Sequence, residues 1–261
     1  MSLDFDYFYD WAYENLNINL DAYKETQLQR RIETIMKSSG SNNLRDYSRL
    51  ISSDEKVKRD FLNYITINVT EFFRNKEIFD EFESIIKEIL LPRFGILDIW
   101  SAACSIGAEP YSLAIIMDKN RIPIKNKILA TDIDEPILNK AKQGVYKENE
   151  VKNIGDDILK KYFSLNDNDN EYKINDTIKN MVNFKKHDLL LDKYEKGFNT
   201  IVCRNVTIYF KNDASNSIYR NISESIVSGG VFFIGATESI YNPKEFGFKK
   251  LSTFIYEKIW K

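Results

Sequence analysis

The first quarter of the chain repeats its apolar positions every three or four residues, with charged residues between them. That spacing is typical of amphipathic helices. An aromatic-rich helix is expected first, and Asp21 is expected to cap the second, which carries the apolar stripe of Leu28 and Ile32. The expected helices cover 4–15, 21–38, 44–51 and a stretch that starts at 54. The pattern predicts a small all-helical domain at residues 1–75.

The pattern changes at Ile96, where an apolar run continues to Trp100 without alternation. Such a run predicts a strand that is buried on both faces of a parallel sheet. A loop of small residues follows, and Pro110 stands where a helix would make its first turn. A strand, a small-residue loop and a helix together form the first unit of a nucleotide-binding α/β fold.

The rest of the chain continues this alternation of strands and helices. Further strands are expected at 127–131, 182–186, 199–203, 231–234 and, as a closing hairpin, 248–259. Helices are expected at 135–143 and 213–227, the second stopped by Gly229 and Gly230. Residues of about 145–180 are polar and irregular but still alternate with aromatic and aliphatic ones, which predicts a small β insertion. The fold class is therefore α/β over 76–261.

Composition excludes several classes of function. A net charge of −2 provides no bulk basic footprint for nucleic acid. No apolar run approaches the ~20 residues of a membrane span, and the acidic, aromatic start does not resemble a signal peptide. His187 is the one histidine of the chain, so a zinc site or a Ser–His triad has almost no material, and no metal is expected.

The small-residue loop bears on the kind of ligand. A pyrophosphate cradle needs several glycines, but this loop has only Gly107, and Glu109 stands at the helix start. A carboxylate repels phosphate and suits the cationic, phosphate-free S-adenosylmethionine. Equally well, Glu109 could only complement the helix dipole. Asp132, at the tip of the second strand, occupies the position where such folds hold ribose hydroxyls.

A second candidate segment spans residues 67–75, INVTEFFRN. Thr70 and Glu71 are typical of a helix start, and the two phenylalanines that follow would anchor the segment to a core. Arg74 follows the two phenylalanines directly, so its side chain would reach whatever lies against the anchored segment. The alternative is an ordinary capped helix with an arginine on its surface.

Six motifs occur in one order along the chain. They are NVTEFFR at 68–74, WSAACSIGAEPYS at 100–112, ATDID at 130–134, AKQGVY at 141–146, CRNVTIYF at 203–210 and GATESIYNPKEFGF at 235–248. Together they resemble the CheR family of chemoreceptor protein-glutamate O-methyltransferases over nearly the whole length. The resemblance implies a helical domain followed by a Rossmann-like, S-adenosylmethionine-dependent methyltransferase domain with a β subdomain.

The resemblance also implies a set of site residues. The implied cofactor residues are Asn68, Thr70, Arg74, Glu109, Asp132, Asp188, Leu189, Asn205 and Val206. Arg74 and Tyr209 are placed beside the reacting methyl group. The chain departs from the family pattern at Ala108, where many relatives carry a second acid, at Ala103, where many carry glycine, and at Thr207, where an aliphatic residue is common. Asp188 stands where some relatives have Asn.

The function implied is methyl transfer to receptor glutamates by a cytoplasmic monomer, with S-adenosylhomocysteine as the product. Arg30 and Arg31 on the second helix are expected to dock the acidic receptor helix, although a basic face is more often only solvated. Two alternatives remain open. One is a small-molecule methyltransferase or an NAD enzyme on the same fold, and the other is a binding-only module, which Ala108 invites.

Overall fold

The computed structural model describes residues 3–66, 69–166 and 170–259. The contacts between Cα atoms divide the chain into two compact units. The first comprises Met1–Asn68 together with Tyr209–Ser217, and the second comprises Val69–Ile208 and Ile218–Lys261. A short segment from late in the chain is therefore part of the helical unit.

Four α-helices lie wholly within the described residues of the first unit. They are α1 (Phe5–Leu16), α2 (Glu25–Ser38), α3 (Leu44–Ser53) and α4 (Glu55–Thr66). Asp4 begins α1 as expected of an N-cap, because its carboxylate accepts a hydrogen bond from the Tyr7 N–H. Phe8, Tyr47 and Phe61 are fully buried and pack ring against ring between the helices. The predicted all-helical architecture is confirmed.

The start of α2 differs from the prediction. Asp21 lies in a short 3-10 turn, Leu20–Ala22, and α2 begins only at Glu25. Tyr23 is extended between them and forms an antiparallel bridge with Phe210, with ring centroids 4.8 Å apart. Pairing with a distant segment has overridden the local helix signal, which the sequence around Asp21 cannot reveal.

The second unit contains both sheets of the protein's described residues. Its helices are α5 (Lys76–Ile85), α6 (Leu91–Phe94), α7 (Ala108–Lys119), α8 (Glu135–Gln143), α9 (Glu148–Val151), α10 (Asp156–Tyr162), α11 (Asp176–Lys179) and α12 (Asn212–Ser225). A π-helical turn at Ile86–Leu90 joins α5 to α6. The first residues of α12 belong to the first unit. Its strands are β1 (Ile99–Ala102), β2 (Ile128–Asp132), β3 (Val145–Lys147), β4 (Phe163–Asn166), β5 (Glu171–Ile174), β6 (Val182–Lys186), β7 (Phe198–Cys203), β8 (Ile226–Ile234), β9 (Phe248–Lys250) and β10 (Ile255–Lys258).

The main sheet has the order β6-β2-β1-β7-β8-β10-β9. Neighbours from β6 to β8 pair in parallel, and β10 runs antiparallel to both β8 and β9. The strand that follows β1 in the chain, β2, lies on one side of β1, and β7 lies on the other side. The strand order therefore reverses at β1. A Rossmann-like sheet places its ligands at such a reversal, beyond the carboxyl ends of the strands.

The insertion forms the expected small sheet, with the order β3-β5-β4 and antiparallel pairing throughout. The helices α9, α10 and α11 lie within the same stretch of chain. Among the described residues, no helix combines the length and the apolar character that a membrane crossing requires.

Two predicted boundaries of the main sheet are wrong. The first strand runs from Ile99 to Ala102 and not from Ile96, which is 45% exposed, because Leu97 pairs outside the sheet with Ile124. Gly229 and Gly230 do not stop a helix but lie inside β8. A side chain at Gly230 would meet the Asn199 carbonyl at 2.7 Å, so the glycine allows the two strands to approach closely.

Candidate active site

The predicted cofactor residues of three strands lie at one edge of the main sheet. Asp132 is the last residue of β2, Glu109 is the second residue of α7 after β1, and Asn205 follows the end of β7 by two positions. The register pairs Ala102 at the end of β1 with both Thr131 and Cys203. The carboxyl ends of the three strands are therefore level, and the predicted residues gather where the strand order reverses.

The loop between β1 and α7 is tightly wound. Ala103, Ser105 and Gly107 all have positive φ angles, of 61°, 50° and 85°. A Cβ atom at Gly107 would lie 2.9 Å from the Cβ of Ala141, so this position needs glycine for space as well as for its backbone. The winding directs the Ser105 N–H toward the end of β2, where it donates to Asp132.

Asp132 is held rigidly at the end of β2. Its Oδ2 accepts from the Ser105 N–H at 2.8 Å, and its Oδ1 accepts from the Asp134 N–H at 3.1 Å. The side chain is buried, and burial raises the pKa of the Asp132 carboxyl from 3.8 to about 6 against the opposing effect of these hydrogen bonds. The group remains an acceptor at neutral pH, as a ribose ligand requires.

Glu109 already has partners within the protein. Its Oε1 accepts from the Ser101 hydroxyl at 2.8 Å, and its Oε2 lies 3.6 Å from Nη1 of Arg204. Burial raises the pKa of the Glu109 carboxyl, and the Arg204 guanidinium opposes that effect. The residue is thus not only a complement to the helix dipole. Its contact with a bound cation stays a prediction.

Arg204 is a site residue that the sequence reasoning missed. Its guanidinium is stacked between the rings of Phe79 and Phe233, 4.9 Å and 4.7 Å from their centroids. It donates through Nη2 to the carbonyl of Arg74 at 2.8 Å. Arg204 therefore links the backbone of the predicted catalytic arginine to the carboxylate of α7. A signal was present, because a charged residue follows the buried strand β7 directly.

Arg74 lies in an irregular segment and not in a helix. The predicted helix start at Thr70 is wrong, because α5 begins at Lys76 with Asn75 at its N-cap in a left-handed conformation, φ 61°. The predicted anchor is confirmed, since Phe72 and Phe73 are buried. Their N–H groups donate to the Glu150 carbonyl at 2.9 Å and to the Ser112 hydroxyl at 3.0 Å, respectively. The Arg74 side chain itself donates to the Val69 carbonyl.

Two other cofactor residues were predicted in this segment. Asn68 lies outside the described residues. Thr70 is half-buried and precedes the anchored phenylalanines. Its role toward a cofactor stays a prediction.

Asp188 and Leu189 follow β6, which lies beyond β2 in the sheet. The Asp188 carboxylate accepts from the Leu190 N–H at 2.7 Å, and the Asp188 N–H donates to Asp192 at 2.8 Å, so the side chain closes a turn. Burial raises the pKa of the Asp188 carboxyl. The Leu189 carbonyl accepts from the Tyr194 hydroxyl at 2.8 Å. These residues end the strand next to β2, and their contact with a ligand stays a prediction.

The loop that carries Asn205 and Val206 is held by Glu238, the second residue that the sequence reasoning missed. The carboxylate of Glu238 accepts from the N–H groups of Asn205, Val206 and Thr207 at 2.7, 3.0 and 2.8 Å. No local pattern signals this contact, because Glu238 lies about thirty residues further along the chain.

Tyr209 and the predicted docking arginines belong to the first unit. The Tyr209 carbonyl accepts from the Lys24 N–H at 2.9 Å. Together with Arg31, these residues line a shallow depression at the start of α2. Arg74 belongs to the second unit, so the predicted pairing of Tyr209 with Arg74 stays a prediction.

The two predicted docking arginines differ in their surroundings. Arg31 lies over the ring of Tyr64, 4.5 Å from its centroid, and donates to the Tyr64 carbonyl. Arg30 is exposed on the same helix. Arg31 thus fastens α2 to α4, whereas Arg30 points its charge to solvent.

Both the helical part and the α/β part of the chain are similar to known proteins. Residues 3–66 match the family model described as CheR methyltransferase, all-alpha domain, and residues 68–255 match CheR methyltransferase, SAM binding domain. A chemotaxis protein methyltransferase of Listeria innocua is 37% identical and covers 98% of this chain and 97% of the relative. Those of Borreliella burgdorferi and Escherichia coli are 32% and 30% identical, covering 93% and 87% of this chain and 90% and 81% of the relatives.

Proposed function

We propose, because the chain belongs to the CheR methyltransferase family, that it transfers a methyl group from S-adenosylmethionine to glutamate side chains of chemotaxis receptors. The relatives are named as chemotaxis protein methyltransferases, and the larger part of the chain is a S-adenosylmethionine-binding domain. The observation that carries the proposal is the gathering of Glu109, Asp132 and Asn205 at the reversal of the strand order.

The residues at this edge fit S-adenosylmethionine. A carboxylate offers about four acceptor positions, and the N–H groups of Ser105 and Asp134 leave Asp132 with acceptor capacity for a ribose hydroxyl. The loop after β1 presents Glu109 and a single glycine, which suits a cation better than a pyrophosphate. The Asn205–Val206 backbone, at the end of β7 on the other side of β1, would border the same cofactor.

The substrate needs no general base. A glutamate side chain has a reference pKa of about 4.3 and is therefore ionised and nucleophilic at neutral pH. When bound, the cofactor supplies a methyl group activated by its sulfonium. A carboxylate oxygen would form the new C–O bond as the C–S bond broke, which would give S-adenosylhomocysteine as the second product without any proton transfer. The site has one histidine nearby, His187, whose pKa is lowered by burial, and the reaction does not require it.

Arg74 and Tyr209 would orient the substrate carboxylate. An arginine can hold one carboxylate oxygen while the other attacks, and Arg204 fixes the Arg74 backbone from which this side chain extends. Because charge is neutralised in the reaction, a tight grip on the anion would stabilise the ground state as well. Orientation is therefore the larger part of what these residues contribute.

The test is methyl transfer from S-adenosylmethionine labelled in its methyl group to the signalling fragment of a chemoreceptor. Glutamate methyl esters release labelled methanol in mild alkali, whereas methylated amines do not. Alkali-labile label on the receptor supports the proposal. Alkali-stable label, or no transfer by a protein that binds S-adenosylhomocysteine, would contradict it.

The matched control changes the methyl-accepting glutamates of the receptor fragment and leaves the enzyme unaltered. A receptor fragment whose labelled glutamates are changed to alanine should lose the alkali-labile signal, while cofactor binding by the enzyme stays the same. Alkali-stable labelling that persists on the alanine fragment would place the methyl group on another kind of side chain.

A further inference from the structure

Glu238 lies in the loop after β8 with its side chain almost wholly withdrawn from solvent, and its carboxylate is surrounded by donors. Besides the three N–H groups of the loop after β7, it accepts from the Thr207 hydroxyl at 2.7 Å and from the Gly235 N–H at 2.7 Å. Five donors therefore converge on two oxygen atoms. Only a carboxylate accepts at both oxygens without presenting a donor of its own.

The backbone around Glu238 is shaped for this contact. Asn205 has a φ angle of 59°, a left-handed conformation that lets consecutive N–H groups of the loop point the same way. A Cβ atom at Gly235 would lie 2.7 Å from Oε2 of Glu238 and 2.8 Å from the Asn205 nitrogen. Glycine at this position thus lets the two loops touch.

Thr207 extends the network through its side chain. Its hydroxyl donates to Glu238 and lies 3.1 Å from the hydroxyl of Tyr219 in α12, which donates to it. An aliphatic side chain could form neither of these two hydrogen bonds. The loop is consequently fixed at three successive residues and tied to a helix.

We infer that Glu238 is a positioning residue of the cofactor site, which holds Asn205 and Val206 in the conformation that receives S-adenosylmethionine. The inference rests on the proposed function, because it concerns the same site. Glu238 acts through the loop and does not touch the cofactor. Its carboxylate accepts the hydrogen bonds that the loop N–H groups would otherwise donate to water or to a ligand.

The experiment compares Glu238→Gln with the wild type by calorimetric titration of S-adenosylhomocysteine. Gln brings an NH2 group against N–H donors, so the loop must move, and we expect the dissociation constant to rise about tenfold or more. The KM for S-adenosylmethionine should rise similarly, while the KM for the receptor stays unchanged. A folded Glu238→Gln protein that binds with wild-type affinity would overturn the inference.

Glu257→Gln is the matched control. Glu257 is also a buried acid of the same sheet, paired with Arg93 and Lys249 at 2.9 Å each, and lies on β10. Its replacement should lower the melting temperature but leave the dissociation constant unchanged. Equal loss of affinity in both variants would mean that Glu238 acts only through overall stability, and it would overturn the inference.

Thr207→Val provides the second variant should Glu238→Gln not fold. It removes the hydroxyl that donates to Glu238 and accepts from Tyr219, and it nearly keeps the volume of the side chain. A dissociation constant raised about threefold or more supports the inference, and an unchanged constant overturns it. A wild-type protein that binds no S-adenosylhomocysteine would instead overturn the proposed function itself, so the two failures are distinguishable.

Discussion

The guanidinium of Arg204 lies 3.6 Å from the carboxylate of Glu109, and both side chains are almost fully withdrawn from solvent. Burial lowers the pKa of Arg204 and raises that of Glu109, and each partner opposes the change in the other. Because Arg204 also holds the Arg74 carbonyl, the pair joins the loop before α5 to the helix after β1.

Removal of one partner of this pair should be strongly destabilising. Arg204→Met leaves the Glu109 carboxylate buried without its cation, and we expect the free energy of unfolding in urea to fall by about 3–5 kcal/mol. The double variant with Glu109→Gln should recover part of that loss, since no unpaired charge remains. Additive losses in the double-mutant cycle would show that the two side chains do not interact.

Asp132 should make the affinity for S-adenosylhomocysteine depend on pH. With a pKa of about 6, its carboxyl should lose its charge as pH falls through that value, and affinity for S-adenosylhomocysteine should fall with it. Asp132→Asn should bind about tenfold more weakly at pH 7.5 and show a flatter profile between pH 5 and 8. Calorimetric titration measures both quantities.

Asp134→Asn serves as the control for Asp132→Asn. Asp134 caps α8 through its Oδ1, which accepts from the Ile137 N–H, and an asparagine caps a helix equally well. Its affinity for S-adenosylhomocysteine should remain that of the wild type. A loss as large as that of Asp132→Asn would mean that the loop, and not the Asp132 carboxylate, provides the contact.

The same carboxyl should affect the stability of the protein in the absence of ligand. The folded state raises the pKa of Asp132 from 3.8 to about 6, so the folded protein binds the proton more tightly than the unfolded chain. Its contribution therefore favours folding at low pH and is lost as pH rises from about 4 to about 6. Relative to Asp132→Asn, the wild type should lose up to about 3 kcal/mol across that interval, measured by urea unfolding.

Arg74 should matter for turnover more than for cofactor binding. Arg74→Ala leaves the backbone carbonyl that Arg204 holds, so the segment should keep its place. We expect turnover of receptor methylation to fall about 100-fold, with a much smaller loss of S-adenosylhomocysteine affinity. Arg74→Lys should not restore the rate fully, because an ammonium lacks the planar fork. Wild-type turnover in Arg74→Ala would show that this arginine only covers the surface.

Local patterns predicted most of the elements, although not all of their bounds, because an element depends mainly on residues that are adjacent in the chain. Asp132 illustrates this, since an acid at the end of a buried parallel strand lies at the edge of the sheet where such folds bind ligands. Glu238 could not be predicted, because its partners Asn205, Val206 and Thr207 reach it only through the pairing of β7 with β8. Gly230 was misread for the same reason, since its role is the approach of Asn199.

Arg30 and Arg31 provide different tests of receptor docking. Arg31 packs on Tyr64, so Arg31→Ala should lower the melting temperature as well as any docking rate. Arg30 is exposed on α2 and offers the cleaner variant. Because local charge steers encounter within a Debye length of about 8 Å at physiological salt, Arg30→Ala should slow receptor methylation and flatten its dependence on salt. Its melting temperature and cofactor affinity should not change.

Arg49→Ala is the control for Arg30→Ala. Arg49 is an exposed arginine of α3 in the same unit, paired with Asp46, so its removal changes the net charge equally. If the two variants methylate the receptor equally fast at low ionic strength, the position of the charge on α2 is immaterial, and the docking surface must lie elsewhere. A slower rate for Arg30→Ala alone, restored by Arg30→Lys, would show that the receptor helix senses the positive charge at this position.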